Sequence, residues 1–153
     1  MYGPLNSPKL VHLFGRLNQA FLSQKSEKIV AFAEAPTIEH IMPQNWCSNW
    51  PLPDKSKGLE LAELIIAAPV DPRAIATRER NNAVQTIGNL TILSFALNSA
   101  QSNVAWNKKK PELMKHSLLA INQSLADIPS WDEATIRARG ENLFSRAVEI
   151  WPR

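Results

Sequence analysis

A carboxylate and an imidazole stand side by side at Glu39 and His40, in a short β-branched run. Two asparagines follow around a second such run, Asn89 just before residues 90–94 and Asn98 after them. Histidine is the one side chain whose unperturbed pKa makes it a ready base near neutrality. Carboxylate and amide oxygens are ligands for Mg²⁺ or Mn²⁺. The set therefore predicts phosphodiester hydrolysis, with His40 as general base and a single divalent cation held by Glu39 and Asn98.

Strand geometry leaves one question open about this pair. Successive side chains of a strand point to opposite faces, so the pattern alone does not show that Glu39 and His40 converge. The run ends at Pro43, where a bulge or the strand end can re-aim one of them. A histidine alone in such a run is more often a core residue. The presence of Glu39 and of the spaced asparagines favours a catalytic role for His40.

The elements that would position these residues follow from periodicity and turn residues. The β-branched runs predict strands at 37–42 and 90–94. Apolar residues at helical spacing predict helices at 7–23, 59–67, 71–82, 95–101, 113–125 and 130–150. The last of these is predicted to start with a capping box and to carry one apolar face, formed by Ser130 with Glu133 and by Ile136, Leu143, Phe144, Ala147 and Ile150. Because a lone hairpin is unstable in water, we expect a mainly α fold whose helices hold a small β-hairpin.

Composition limits the classes to which the chain can belong. Its 153 residues suit one domain, and 44% hydrophobic with 20% charged residues is ordinary for a folded soluble protein. No apolar run approaches the roughly 20 residues that span a bilayer, and the N-terminus does not resemble a signal peptide. The single cysteine, Cys47, rules out an internal disulfide and a multi-cysteine zinc site. We therefore expect a cytoplasmic protein with no membrane partner.

Basic residues are concentrated around the second half of the suspected site. Between residues 71 and 115 there are seven basic and three acidic side chains, in a chain whose net charge is +3. Clustered Lys and Arg are what a polyanion surface needs. The candidate phosphate contacts are Arg73, Arg78, Arg80, Lys108, Lys109 and Lys110. A solvated surface is the alternative, and Trp46, Trp50 and Trp106 are more often anchors of the core than platforms for bases.

The order Glu-His, Asn-Leu-Thr-Ile-Leu and Asn resembles the His-Asn-His (HNH) endonucleases of the ββα-metal fold. More narrowly, the chain resembles the C-terminal nuclease domain of GmrSD-type modification-dependent (type IV) restriction enzymes, from about residue 10 to the end. The matching segments are IEHIMPQ at 38–44, IGNLTILS at 87–94, ATIRARGENLFSRAVEIWP at 134–152, and the single residues Asn98, Asn103, Trp106 and Lys109.

The resemblance implies a role for each matching residue. His40 would be the general base, and Glu39, where many relatives have aspartate, would be a metal ligand. Asn89 would fix the hairpin loop and help to orient His40, and Asn98 would complete the metal site. Lys109 would contact phosphate.

The resemblance also implies an organisation and partners. Residues 1–153 would form one nuclease domain, with the ββα-metal core at about 37–110 and helical flanks at 7–35 and 112–152. The substrate would be DNA, modified or not, in a restriction or phage-defence system. The N-terminal NTPase and modification-sensing domain that usually precedes this domain is absent from the sequence, so it would be a separate subunit or a missing part. The rival interpretations are a catalytically silent nucleic-acid-binding module and a helical domain that docks a partner subunit.

Overall fold

The computed structural model of the chain describes residues 6–22, 35–94 and 103–152. These residues form helices around a two-stranded antiparallel sheet, as the sequence predicts. In chain order the elements are α1 (Ser7–Ala20), β1 (Thr37–His40), α2 (Leu61–Ile66), α3 (Pro72–Val84), a 3-10 helix (Ile87–Asn89), β2 (Leu90–Leu93), α4 (Trp106–His116), α5 (Ala120–Gln123) and α6 (Glu133–Ile150). The predicted helix at 95–101, which would complete a ββα finger, lies outside the described residues.

The register of the sheet sets the neighbours of the suspected catalytic pair. β1 runs antiparallel to β2, with Glu39 opposite Thr91 and His40 opposite Leu90. β1 ends at His40, two residues earlier than predicted. The backbone of Met42 instead pairs with the side-chain amide of Asn89, through its N–H to Oδ1 at 2.8 Å and its C=O to Nδ2 at 2.8 Å. A side chain thus takes the place of the next strand pairing, and the chain bends away from the sheet.

Two apolar clusters enclose the hairpin. One lies between α1, the sheet and α6, and its buried members include Leu10, Phe14, Leu17, Leu90, Ile92 and Leu143. The other gathers the segment after β1 with the tryptophans, and it includes Ile41, Met42, Trp46, Trp106 and Trp131. The helical spacing of Leu10, Phe14 and Leu17 is therefore a core face, as predicted. The three tryptophans named in the sequence as anchors or platforms, Trp46, Trp50 and Trp106, are buried as anchors.

Helix α6 fixes the start of β2. Its Arg139 donates from Nη1 to the backbone oxygens of Gly88 and Leu90, each at 2.7 Å. Gly88 lies so close to this helix that a Cβ there would stand 2.0 Å from the backbone oxygen of Ile136. Only a residue without a side chain fits such an approach. The buried guanidinium has a pKa lowered by desolvation to about 9.

Three helix predictions need correction. The N-cap of α6 is Asp132, whose side chain accepts from Thr135 N at 2.9 Å, whereas Glu133 pairs with Arg80 instead of closing a box with Ser130. Phe144 is 70% exposed, so it does not belong to the apolar face that buries Ile136 and Leu143. The helix predicted at 113–125 is two helices, since α4 starts earlier, runs through Pro111 and ends at His116, and α5 starts at Ala120. No helix in the described ranges is long and apolar enough to cross a membrane.

Candidate active site

Glu39 is held by a lysine. Its Oε1 accepts a hydrogen bond and ion pair from Nζ of Lys109 on α4, at 2.5 Å, and its side chain is only 13% exposed. Burial raises the pKa of the Glu39 carboxyl, and the positive charge and hydrogen bond of Lys109 oppose that rise. An ionised carboxylate is stable in so enclosed a place only with a partner of this kind.

Lys109 is itself completely buried. The same Nζ also donates to the backbone oxygen of His40 at 2.7 Å. Burial lowers the pKa of this lysine, and Glu39 opposes that shift. The expected phosphate contact needs an ammonium group at the surface, and the structure does not place Lys109 there. The two acceptors it has found explain why: both belong to the end of β1, so the side chain runs inward.

His40 is the last residue of β1 and is 8% exposed. Desolvation lowers its pKa to about 4, opposed by a hydrogen bond with the Gln85 side chain and supported by the charge of Lys109. The imidazole is therefore neutral at pH 7, which is the form that accepts a proton. Regular alternation places the side chains of Glu39 and His40 on opposite faces. In the described part of the chain, Lys109 links the two residues, through one side chain and one backbone oxygen.

Asn89 is fully buried and joins three parts of the molecule. Its Oδ1 accepts from Met42 N at 2.8 Å and from Trp131 Nε1 at 3.0 Å. Its Nδ2 donates to Met42 O at 2.8 Å and to Val84 O at 3.0 Å. Its backbone oxygen accepts from Ile41 N at 2.8 Å. These bonds hold the backbone of Ile41 and Met42, directly after His40. That Asn89 serves the nuclease site by fixing this loop and orienting the imidazole stays a prediction.

The metal site cannot be assembled from the described residues alone. Asn98, the second predicted ligand, lies outside them. Within residues 6–22, 35–94 and 103–152, no three His, Cys, Asp or Glu side chains form a group that could hold a metal ion. Glu39 keeps the hard-oxygen chemistry that Mg²⁺ and Mn²⁺ prefer, with one of its two oxygens bonded to Lys109.

The six predicted phosphate contacts do not form one exposed surface. Arg80 is 2% exposed and pairs with Glu133, and it also donates to the backbone oxygens of Trp50 and Pro51. Arg78 donates to the backbone oxygen of Leu64, and Lys110 to that of Ile128. Arg73 is exposed, 3.8 Å from Glu63. Lys108 is exposed on α4. Of the six, Lys108 and Arg73 have the accessible charges.

Sequence reasoning missed Lys109 as the partner of Glu39, although a signal was present. Trp106, Lys109 and Leu113 share one face of α4, and all three are buried. A lysine between two large apolar residues at helical spacing indicates an inward ammonium group that must find an acceptor. Among the described acidic residues, Glu39 is the one that Lys109 meets.

With this geometry in place, comparison with protein families gives a clear result. The family described as GmrSD restriction endonucleases, C-terminal domain, matches residues 4–146. The chain belongs to this family, which confirms the resemblance seen in the segments at 38–44 and 87–94. Membership of this family indicates that the chain is the nuclease part of a restriction endonuclease. Searches of curated proteins and of solved structures gave no match.

Proposed function

We propose that this domain is a metal-dependent DNA endonuclease of the HNH type, in which His40 is the general base. Family membership supports the restriction nuclease class. The observation that carries the mechanism is the arrangement at the end of β1, where a neutral imidazole follows a carboxylate held in place by a buried ammonium. A purely structural hairpin has no need of three ionisable groups in its interior, because burying such groups is costly.

His40 would take a proton from the attacking water. Its lowered pKa keeps the ring unprotonated, so the base is available throughout the neutral range. A DNA phosphate brought beside the ring would raise this pKa, because a nearby negative charge favours imidazolium. The base would thereby become stronger when substrate is present. Asn89 would keep the chain after His40 in place, through its four side-chain bonds.

Glu39 and Asn98 would hold a single Mg²⁺ or Mn²⁺. The donor chemistry of Glu39 fits such an ion, since a carboxylate oxygen is a preferred ligand of hard cations. The bound ion would supply positive charge for the phosphate and the leaving oxygen.

The substrate in this proposal is DNA, bound through phosphates by the accessible Lys108 and Arg73. Arg78 and Lys110 are half-buried and donate to backbone oxygens, so they are weaker candidates. Modified DNA, a role in phage defence and an N-terminal NTPase subunit are proposed from the family resemblance. A cytoplasmic location is proposed from the single cysteine, Cys47, which fits a reducing compartment. Phosphate contacts position a duplex without reading its sequence. A partner domain would then supply target choice.

A plasmid cleavage assay tests this function. The protein is incubated with supercoiled DNA in EDTA, in Mg²⁺ and in Mn²⁺, and binding to the same DNA is measured in parallel. The proposal predicts nicked or linear product only with a divalent ion. DNA binding without cleavage in any metal would support the silent binding module instead. Neither binding nor cleavage would support a subunit-docking domain.

A further inference from the structure

Lys109 is far more deeply buried than the lysines on either side of it. Its side chain is 0% exposed, whereas Lys108 faces solvent and Lys110 is half-buried. Burying an ammonium group is unfavourable unless it finds charged or strongly polar partners. Lys109 finds two, the Glu39 carboxylate at 2.5 Å and the His40 carbonyl at 2.7 Å.

The two partners are consecutive residues of β1, and they are the two that the proposed mechanism uses. One bond reaches a side chain and the other reaches the backbone, so a single nitrogen ties the carboxylate to the main chain of the neighbouring residue. The nitrogen itself is fixed from α4, whose Trp106 and Leu113 are buried on the same face. A rigid helix thus sets the position of a carboxylate on a short strand.

We propose that Lys109 is a positioning residue of the nuclease site, which sets the Glu39 carboxylate relative to His40, and that it is not a DNA contact. This inference rests on the proposed nuclease function. Outer partners of metal-binding carboxylates orient the ligand, and their loss typically lowers metal affinity by about 10–100-fold. A fully buried Nζ cannot reach a phosphate, so its loss leaves the electrostatic part of DNA binding unchanged.

The test compares Lys109→Met with Lys115→Met, which removes an exposed charge from the same helix. Mn²⁺ binding is measured by calorimetry, and cleavage is measured in single turnover at saturating DNA. We expect Lys109→Met to bind Mn²⁺ about 10–100-fold more weakly and to need correspondingly more metal for cleavage. Lys115→Met should match the wild type in both measurements.

The salt dependence of DNA binding separates positioning from phosphate contact. Lys109→Met should keep the wild-type slope of log K against log salt. Lys108→Met should flatten that slope by about 0.9, the change for one lost phosphate contact. A flatter slope for Lys109→Met would overturn the inference, because the residue would then be a DNA contact.

Folding is checked for each variant by circular dichroism and thermal melting, because Lys109→Met leaves Glu39 without its cation. If that variant does not fold, the wild type is labelled with ¹⁵N-lysine and the Nζ resonances are observed. Lys109 should give a slowly exchanging signal that moves when Mg²⁺ is added, while the Lys115 signal should not move. A Lys109 signal that exchanges fast or ignores Mg²⁺ would overturn the inference.

These measurements distinguish failure of the positioning role of Lys109 from failure of the proposed nuclease function. If the wild type binds Mn²⁺ and cleaves DNA, and Lys109→Met binds Mn²⁺ equally well, the positioning role of Lys109 is refuted and the nuclease proposal stands. A wild type that neither binds Mn²⁺ nor cleaves DNA removes the nuclease proposal itself.

Discussion

Replacing Asn89 with alanine should destabilise the whole domain. The change leaves four buried groups without their partner: the N–H and C=O of Met42, the C=O of Val84 and the indole N–H of Trp131. Each buried polar group left unsatisfied costs about 1–3 kcal/mol. The space left by the amide can admit a water that recovers part of this loss. The expected loss in the free energy of unfolding is therefore about 3–6 kcal/mol, a large share of the roughly 5–15 kcal/mol that stabilises a domain.

Urea denaturation followed by circular dichroism measures this loss. Asn82→Ala is the matched control, because Asn82 is an exposed asparagine on α3, and it should change stability by less than about 0.5 kcal/mol. Asn89→Asp is the informative intermediate. It keeps the acceptor for Met42 and Trp131 but loses both donors and adds a buried charge, so it should be at least as unstable as the alanine variant. An Asn89→Ala protein within about 1 kcal/mol of the wild type would refute the view that this side chain holds the loop after His40.

Two further substitutions test how the hairpin and the last helix are fixed. Gly88→Ala should lower the free energy of unfolding by about 1–3 kcal/mol or more, because the new Cβ would lie 2.0 Å from the backbone oxygen of Ile136. Gly15→Ala is the control: a Cβ there meets nothing within 4 Å, so it should stabilise α1 by about 0.5–1 kcal/mol. Equal melting temperatures for the two variants would contradict the close approach at Gly88. Asp132→Ala should cost about 1 kcal/mol through loss of the α6 cap. Hydrogen bonds from Thr135 lower the pKa of Asp132 below 3.8, so its contribution is full above that pH and is lost on acidification through the lowered value. A pH titration of stability in which wild type and Asp132→Ala keep a constant difference down to pH 2 would refute this link.

The helices and strands that have a regular pattern of apolar or β-branched residues could be predicted from the sequence. The spacing of Leu10, Phe14 and Leu17 gave α1 its buried face, and the β-branched runs gave the two paired strands. Strand ends and caps were harder, because they depend on side chains from distant parts of the chain. β1 ends early because the amide of Asn89 captures Met42, and the predicted capping box fails because Arg80 takes Glu133.

The site shows the same limit. The adjacent Glu39 and His40, and their spacing to Asn89, can be recognised from the sequence. The burial of Lys109 and Arg80 is not, since charged residues are usually exposed and their acceptors lie 70 and 53 positions away along the chain. Counting basic residues therefore overestimated the accessible positive surface.

The central claim is that His40 is the base of a metal-dependent nuclease. The most direct measurement is single-turnover cleavage of plasmid DNA in Mg²⁺ or Mn²⁺ by the wild type, by His40→Ala and by His12→Ala, whose histidine is exposed on α1. The account predicts that His40→Ala folds and binds DNA but cleaves about 10²–10⁴-fold more slowly, the usual cost of losing a general base. His12→Ala should cleave at the wild-type rate. A folded His40→Ala protein that cuts as fast as the wild type in either metal would contradict the account.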